Sequence, residues 1–298
     1  MRRILLTGVT GQLGYELKLA LAPLGEVISA SRAELDLSRP ADIHQIIEKI
    51  SPHIIVNPAA YTAVDKAETE TQLAQTVNAE AAKAMAEASQ NLGASLVHIS
   101  TDYVFDGQQH TPYTEADCPH PISVYGKTKL MGEAAIQEAC DHHYIFRTAW
   151  VYGAHGQGNF VKTMLKLGRD RTEVRVVADQ IGTPTSAAYL AARITQFVSH
   201  LDNPNQPPPD FGIYHLTCSG AASWYDFAVA IFEEAKRLGM PLKVQQVVPI
   251  TTADYPTAAQ RPAYSILSNQ KIDAVLGPAL FHWREGLRRT LAQLYRSS

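Results

Sequence analysis

The segment Tyr125-Gly-Lys-Thr-Lys129 places a phenol and an ammonium four residues apart. On a helix that spacing puts both side chains on one face. A lysine cation beside a tyrosine favours the phenolate and lowers the tyrosine from its reference pKa of about 10. Such a phenol can give a proton to a carbonyl oxygen as hydride reaches the carbon, or take it back in the reverse direction. An isolated pair of this kind is most often a solvated helix face, so its weight depends on what else shares its domain. A second candidate is Ser100-Thr101-Asp102, at the end of a strand that starts near Ser95. Its Thr101 hydroxyl could bond a substrate carbonyl beside Tyr125, although the same triplet also caps turns.

These groups need a scaffold, and the start of the chain supplies its signature. Gly8-Val-Thr-Gly11-Gln12-Leu13-Gly14 follows an apolar run, Ile4–Thr7, and opens an amphipathic stretch, Leu13–Leu24. A Gly-x-x-Gly-x-x-Gly turn between strand and helix is the context of dinucleotide binding. Gly8 permits the turn, Gly11 lets backbone approach a pyrophosphate, and Gly14 lets the helix pack on the sheet. The free N–H groups of the helix start then face phosphate. The next strand ends in Ser29-Ala-Ser31-Arg32, with no acid for ribose hydroxyls. Arg32 suits a 2′-phosphate, which favours NADPH; NADH stays possible, and a surface arginine is the plainer reading. Asp36 and Leu37 could line an adenine pocket. Ala60, Tyr61 and Thr62 follow the strand His53–Asn57, at the carboxyl edge that a dinucleotide would cross.

Strands and helices alternate to about Trp150: Val27–Ala30, Asp42–Ile50, His53–Asn57, Leu73–Asn91, Ser95–Ser100, Ser123–Cys140 and Tyr144–Thr148. That rhythm implies parallel βαβ units. The expected fold is α/β, a Rossmann-type doubly wound parallel sheet with a smaller C-terminal α/β substrate lobe. Residues 1–150 would form the first domain and 186–217 would return to it, leaving 151–185 and 218–298 for the lobe. Later helices are read at Asn159–Gly168, Ser186–His200, Ser223–Leu238 and Trp283–Tyr295. Strands are read at Gly212–Thr217 and Lys243–Pro249, with a proline-rich surface loop at Asn203–Asp210.

Composition removes several classes. Of 298 residues, 46% are apolar and 18% charged, which is ordinary for a globular protein. A net charge of −3 gives no electrostatic case for a nucleic-acid partner. Cys118, Cys140 and Cys218 are scattered and form neither a metal pattern nor a disulfide framework, as suits a reducing cytoplasm. The apolar run after Met1 is too short for a signal peptide, and no stretch reads as a membrane span.

Taken together, the segments resemble the extended short-chain dehydrogenase/reductase family and, within it, the dTDP-4-dehydrorhamnose reductases. The resemblance rests on Gly8–Gly14, Tyr61–Glu68, Ser100–Gly107, Tyr125–Glu133, Arg147–Gly153, Asp179–Thr185 and Arg261-Pro262. It implies a catalytic trio of Thr101, Tyr125 and Lys129, with Tyr125 as acid and Lys129 as phenol tuner and ribose anchor. The implied reaction is hydride transfer from NADPH to the C4 ketone of dTDP-4-dehydro-L-rhamnose. Its product, dTDP-L-rhamnose, serves cell-surface polysaccharide. Thr101, Asp102 and Trp150 would contact the sugar, and Arg261 the diphosphate; Trp150 could equally be a core residue. A homodimer is open. Some family members hold a divalent cation at a dimer contact with glutamates. The stretch Thr185–Ala192 offers no carboxylate, so a metal is doubtful and none is assigned. Two other readings remain: a different nucleotide-sugar reductase or epimerase, and a non-catalytic regulatory subunit of the methionine adenosyltransferase type.

Overall fold

The computed structural model describes residues 1–201, 207–279 and 281–296. Residues 203–206 of the expected proline-rich loop, and the last two residues of the chain, lie outside the described residues. The chain begins β1 (Arg3–Leu6), α1 (Gln12–Leu21), β2 (Glu26–Ser29), α2 (Pro40–Ile50), β3 (Ile54–Asn57), α3 (Val64–Ala67), α4 (Thr71–Gln75), α5 (Ala81–Leu92), β4 (Ser95–Thr101), α6 (Val124–Ala139) and β5 (His143–Thr148). It continues β6 (Val151–Tyr152), α7 (Phe160–Asp170), β7 (Glu173–Val177), β8 (Ile181–Gly182), β9 (Thr185–Ser186), α8 (Ala187–His200), β10 (Gly212–His215), β11 (Ala222–Ser223), α9 (Trp224–Arg237), β12 (Gln246–Ile250), α10 (Gln270–Leu276) and α11 (Trp283–Arg296).

Six strands pair in parallel in the order β10-β5-β4-β3-β1-β2. Both faces of this sheet are covered, so its strands are apolar on both sides. The two-residue period still sorts them. Ile4, Leu6 and Val56 face one cluster with Leu17, Ile194 and Phe197, under α1 and α8. Leu5 and Ile55 face the other, with Ile43, Met85 and Ile136, under α2, α5 and α6. Each such side chain contributes about 1.5–3 kcal/mol by leaving water.

Strand order reverses between β1 and β3, and a crevice opens outside their carboxyl ends at such a point. The loops after the two strands touch there. A Cβ on Gly8 would lie 3.1 Å from Ala59, and the Thr7 hydroxyl donates to Asn57 Oδ1 at 2.6 Å.

The single helix expected over Leu73–Asn91 is interrupted by a π-helical turn, Thr76–Glu80. Asn78 explains it. Its amide exchanges hydrogen bonds with the Tyr61 backbone at 2.8 and 3.2 Å and donates to Thr128 Oγ1 at 3.1 Å. The widened turn also brings the Asn78 carbonyl onto α6, where a Cβ on Gly132 would lie 2.1 Å from it.

In the later part, β7 and β12 pair in parallel, with α9 packed on both and α7 on β7. The strand expected from Lys243 starts instead at Gln246. Lys243 and Val244 both donate their N–H to Gly168 O, at 2.7 and 3.0 Å, so neither is free to join a ladder.

Candidate active site

The glycine turn is built as its spacing predicts. Gly8 has φ +59°, where a side chain would be strained. A Cβ on Gly14 would lie 2.0 Å from Gly8 O, so only glycine lets α1 leave the turn at this angle. Gly11 caps α1 with no side-chain bond, and the first turn of α1 carries no acid. Its N–H groups and the helix dipole thus suit an anion. Leu13 is buried in the core. Gln12 is half-buried, its Oε1 accepting from Asn159 Nδ2 at 2.6 Å.

Tyr125 stands in the first turn of α6. Ser123 caps that helix, accepting from Gly126 N–H at 3.1 Å, and Glu68 accepts from Val124 N–H at 2.9 Å. Gly126 lets the helix start lie against the turn after β4, where a Cβ would come 2.1 Å from Tyr103 O. The Tyr103 ring meets Tyr125 edge-on at 5.6 Å. The Thr101 side chain lies beside the Tyr125 phenol and pulls its pKa down. Thr101 also donates to Asp102 Oδ1 at 3.1 Å and accepts from Tyr103 N–H at 3.2 Å. Asp102 is buried, and burial pushes its carboxyl up to about 6 against the pull of Ser265 and Thr101.

Lys129 shares the helix face with Tyr125, and both are buried. Its effect on the phenol differs from the expectation. Burial pushes Tyr125 up to about 12, Thr101 opposing, rather than a lysine cation bringing it down. Lys129 Nζ is directed to β4 instead: it donates to Ile99 O at 2.7 Å and lies 3.0 Å from His98 Nε2. Burial pushes the Lys129 ammonium down to about 8, with Glu133 opposing.

Other expected residues are placed less directly. Arg32 is exposed and lies 3.5 Å from Asp36, whose carboxylate accepts from Ser38. Leu37 is in the core beneath α2, so it closes that region from below rather than standing open to a ring. Ala60 and Tyr61 are half-buried and Thr62 is exposed. Tyr61 gives its hydroxyl to Glu70 at 2.6 Å. Trp150 has the unusual φ of +46° and stacks on Trp224 at 3.5 Å. Gly182 is also close, and a Cβ there would come 2.6 Å from the indole. Arg261 grips Asp65 through both oxygens, at 2.8 and 3.1 Å, and lies beside Tyr103.

Sequence reasoning missed a buried polar layer behind Tyr125 and Lys129. Asn57 bonds His98 across β3 and β4. Glu133 pairs with Arg147 at 2.6 Å and accepts from Ser100. The signal was a polar residue inside an otherwise apolar strand, as in Ser-Leu-Val-His98 and Ile-Ile-Val-Asn57. Among the described residues no three His, Cys, Asp or Glu side chains converge on a metal site. Nor is any helix there long and apolar enough to cross a membrane.

The sequence and fold recur in known proteins. The family described as RmlD substrate binding domain matches residues 1–296. The dTDP-4-dehydrorhamnose reductase of Escherichia coli K12 is 44% identical over 300 residues, covering 99% of each chain. Spore coat polysaccharide biosynthesis protein SpsK of Bacillus subtilis is 42% identical, covering 98% of each. The crystal structure of a Bacillus anthracis dTDP-4-dehydrorhamnose reductase in complex with NADP superposes with a TM-score of 0.89 at 39% identity, over 98% of this chain and all of that one. With these matches along its whole length, the chain belongs to the RmlD substrate-binding domain family, that of the dTDP-4-dehydrorhamnose reductases.

Proposed function

We propose that this chain reduces the C4 ketone of dTDP-4-dehydro-L-rhamnose to the alcohol of dTDP-L-rhamnose with NADPH, and that Tyr125 gives the proton. The observation that carries this is the buried Tyr125–Thr101 contact at the carboxyl end of β4, on the same sheet edge as the open helix start at Gly11. The uncapped turn fits a pyrophosphate, and Arg32 fits the 2′-phosphate of NADPH. Bound NADPH supplies the hydride. Tyr125, with its phenol pushed up to about 12, carries its proton at neutral pH. It gives that proton to the C4 oxygen as the carbon is reduced, and is reprotonated from solvent. Thr101 holds the same oxygen in line, and the Lys129 cation favours the phenolate left behind. Asp102, Trp150 and Arg261 are assigned to the sugar nucleotide. We assign 1–150 and 186–217 to cofactor binding, and 151–185 and 218–298 to the sugar nucleotide. A cytoplasmic setting, with the product passing to cell-surface polysaccharide, completes the reading; the three cysteines are all free thiols.

The test is loss of nicotinamide absorbance on mixing the chain, NADPH and dTDP-4-dehydro-L-rhamnose. Oxidation matched by formation of dTDP-L-rhamnose supports the proposal. No oxidation with either NADPH or NADH overturns it.

A further inference from the structure

A hydrogen-bond chain runs behind the reactive side chains, and its protons can be counted. The Ala59 N–H donates to Asn57 Oδ1 at 3.2 Å. A backbone N–H can only donate, so it settles which end of the Asn57 amide is oxygen. Asn57 Nδ2 therefore donates to His98 Nδ1, 3.1 Å away. A ring nitrogen that accepts carries no proton, so neutral His98 has its proton on Nε2. That Nε2 faces Lys129 Nζ at 3.0 Å. An N–H can bond there only to a lone pair, which a free amine has and an ammonium lacks. Lys129 gives one amine proton to Ile99 O at 2.7 Å, and a free amine keeps a second.

We propose that His98, held as its Nε2–H tautomer by Asn57, is a positioning residue that parks Lys129 as a free amine on β4. When Lys129 takes up a proton, the contact with His98 breaks and the ammonium is released toward Tyr125. The role of Lys129 beside the phenol rests on the reductase reading above; the tautomer does not. Glu133, one turn after Lys129, acts on it and is paired with Arg147 of β5; Tyr125, one turn before it on α6, is acted on by Asp102. Burial draws Lys129 down to about 8, with Glu133 opposing. Burial holds His98 well below its usual value, which keeps the ring neutral.

Nitrogen-15 NMR of the free chain labelled in histidine reads the tautomer without any turnover, the His98 signals being assigned by their loss in His98→Gln. A pyrrole-type Nε2 and a pyridine-type Nδ1 at pH 6–8 are expected. A protonated Nδ1 overturns the proposal whatever the enzyme's substrate. The second readout is the alkaline limb of kcat/KM for NADPH, which reports groups of the free enzyme. The glutamine of His98→Gln can turn its oxygen to an ammonium, so the limb should move up by about one pH unit, a tenfold gain in proton affinity. A merely structural His98 would lower kcat/KM at every pH and leave the limb in place, and that outcome overturns the positioning role.

Discussion

Arg261 and Asp65 lie 196 residues apart and are joined by two parallel hydrogen bonds. The pair fastens the later part of the chain to the segment after β3. It is also the neighbour of Tyr103, which packs on Tyr125. The arginine assigned to the substrate diphosphate is thus held at the edge of the site by a carboxylate that a diphosphate could replace.

Arg261→Ala should therefore act on binding more than on folding. The pair is partly exposed, and such pairs stabilise by about 1 kcal/mol or less. A charge-assisted bond to phosphate is worth about 1.5–3 kcal/mol, so KM for the sugar nucleotide should rise tenfold or more. Steady-state kinetics beside a thermal melt check this. An unchanged KM with a large fall in Tm would make the residue structural only.

The ion pair of Glu133 with Arg147 behaves differently, because both side chains are almost wholly buried. Glu133→Gln leaves a guanidinium without its counter-charge and should cost about 3–5 kcal/mol in urea denaturation. Replacing both, as Glu133→Gln with Arg147→Met, should recover much of that loss. A single variant as stable as the parent would contradict the reading.

Asp102 makes stability depend on pH. Its folded value, about 6, lies above the ordinary carboxylate value, so ionisation weakens folding. The penalty is absent below the unfolded pKa, grows as pH rises from about 4, and is complete above about 6. Two units correspond to about 3 kcal/mol at most. Asp102→Asn should raise stability at pH 7–8 and flatten the profile between pH 4 and 6. A variant less stable than the parent at pH 8 would mean that the charge is compensated.

Arg32 is exposed and shares Asp36 only at 3.5 Å, so it is free to meet a phosphate. Arg32→Ala should weaken NADPH about tenfold or more and leave NADH nearly unchanged, as a lost charge-assisted bond would. Fluorescence titration of both cofactors checks it. Equal losses would remove the 2′-phosphate role.

What the chain shows by reading alone is what depends on near neighbours. The turn Gly8–Gly14 was legible because the steric demands of Gly8 and Gly14 lie within one motif. Tyr125 and Lys129 were legible as one helix face because four residues make about one turn. The direction of Lys129 was not, since it is set by His98 and Ile99 on another element. Nor was the partner of Arg261, which comes from the other end of the chain. Trp150 was open between sugar contact and core; the indole is stacked on Trp224, a contact no local pattern encodes. The break at Thr76–Glu80 was hidden because alanine-rich sequence favours helix throughout, while the cause, Asn78, bonds outward to Tyr61 and Thr128.

The most direct measurement is Tyr125→Phe assayed for reduction of dTDP-4-dehydro-L-rhamnose by NADPH, with cofactor affinity titrated on the same sample. The variant keeps the ring against Tyr103 and removes only the proton donor. Turnover should fall about 100- to 10,000-fold, the range for a lost general acid, with NADPH affinity nearly intact. Turnover within a few-fold of the parent would contradict the assignment of Tyr125 as the acid.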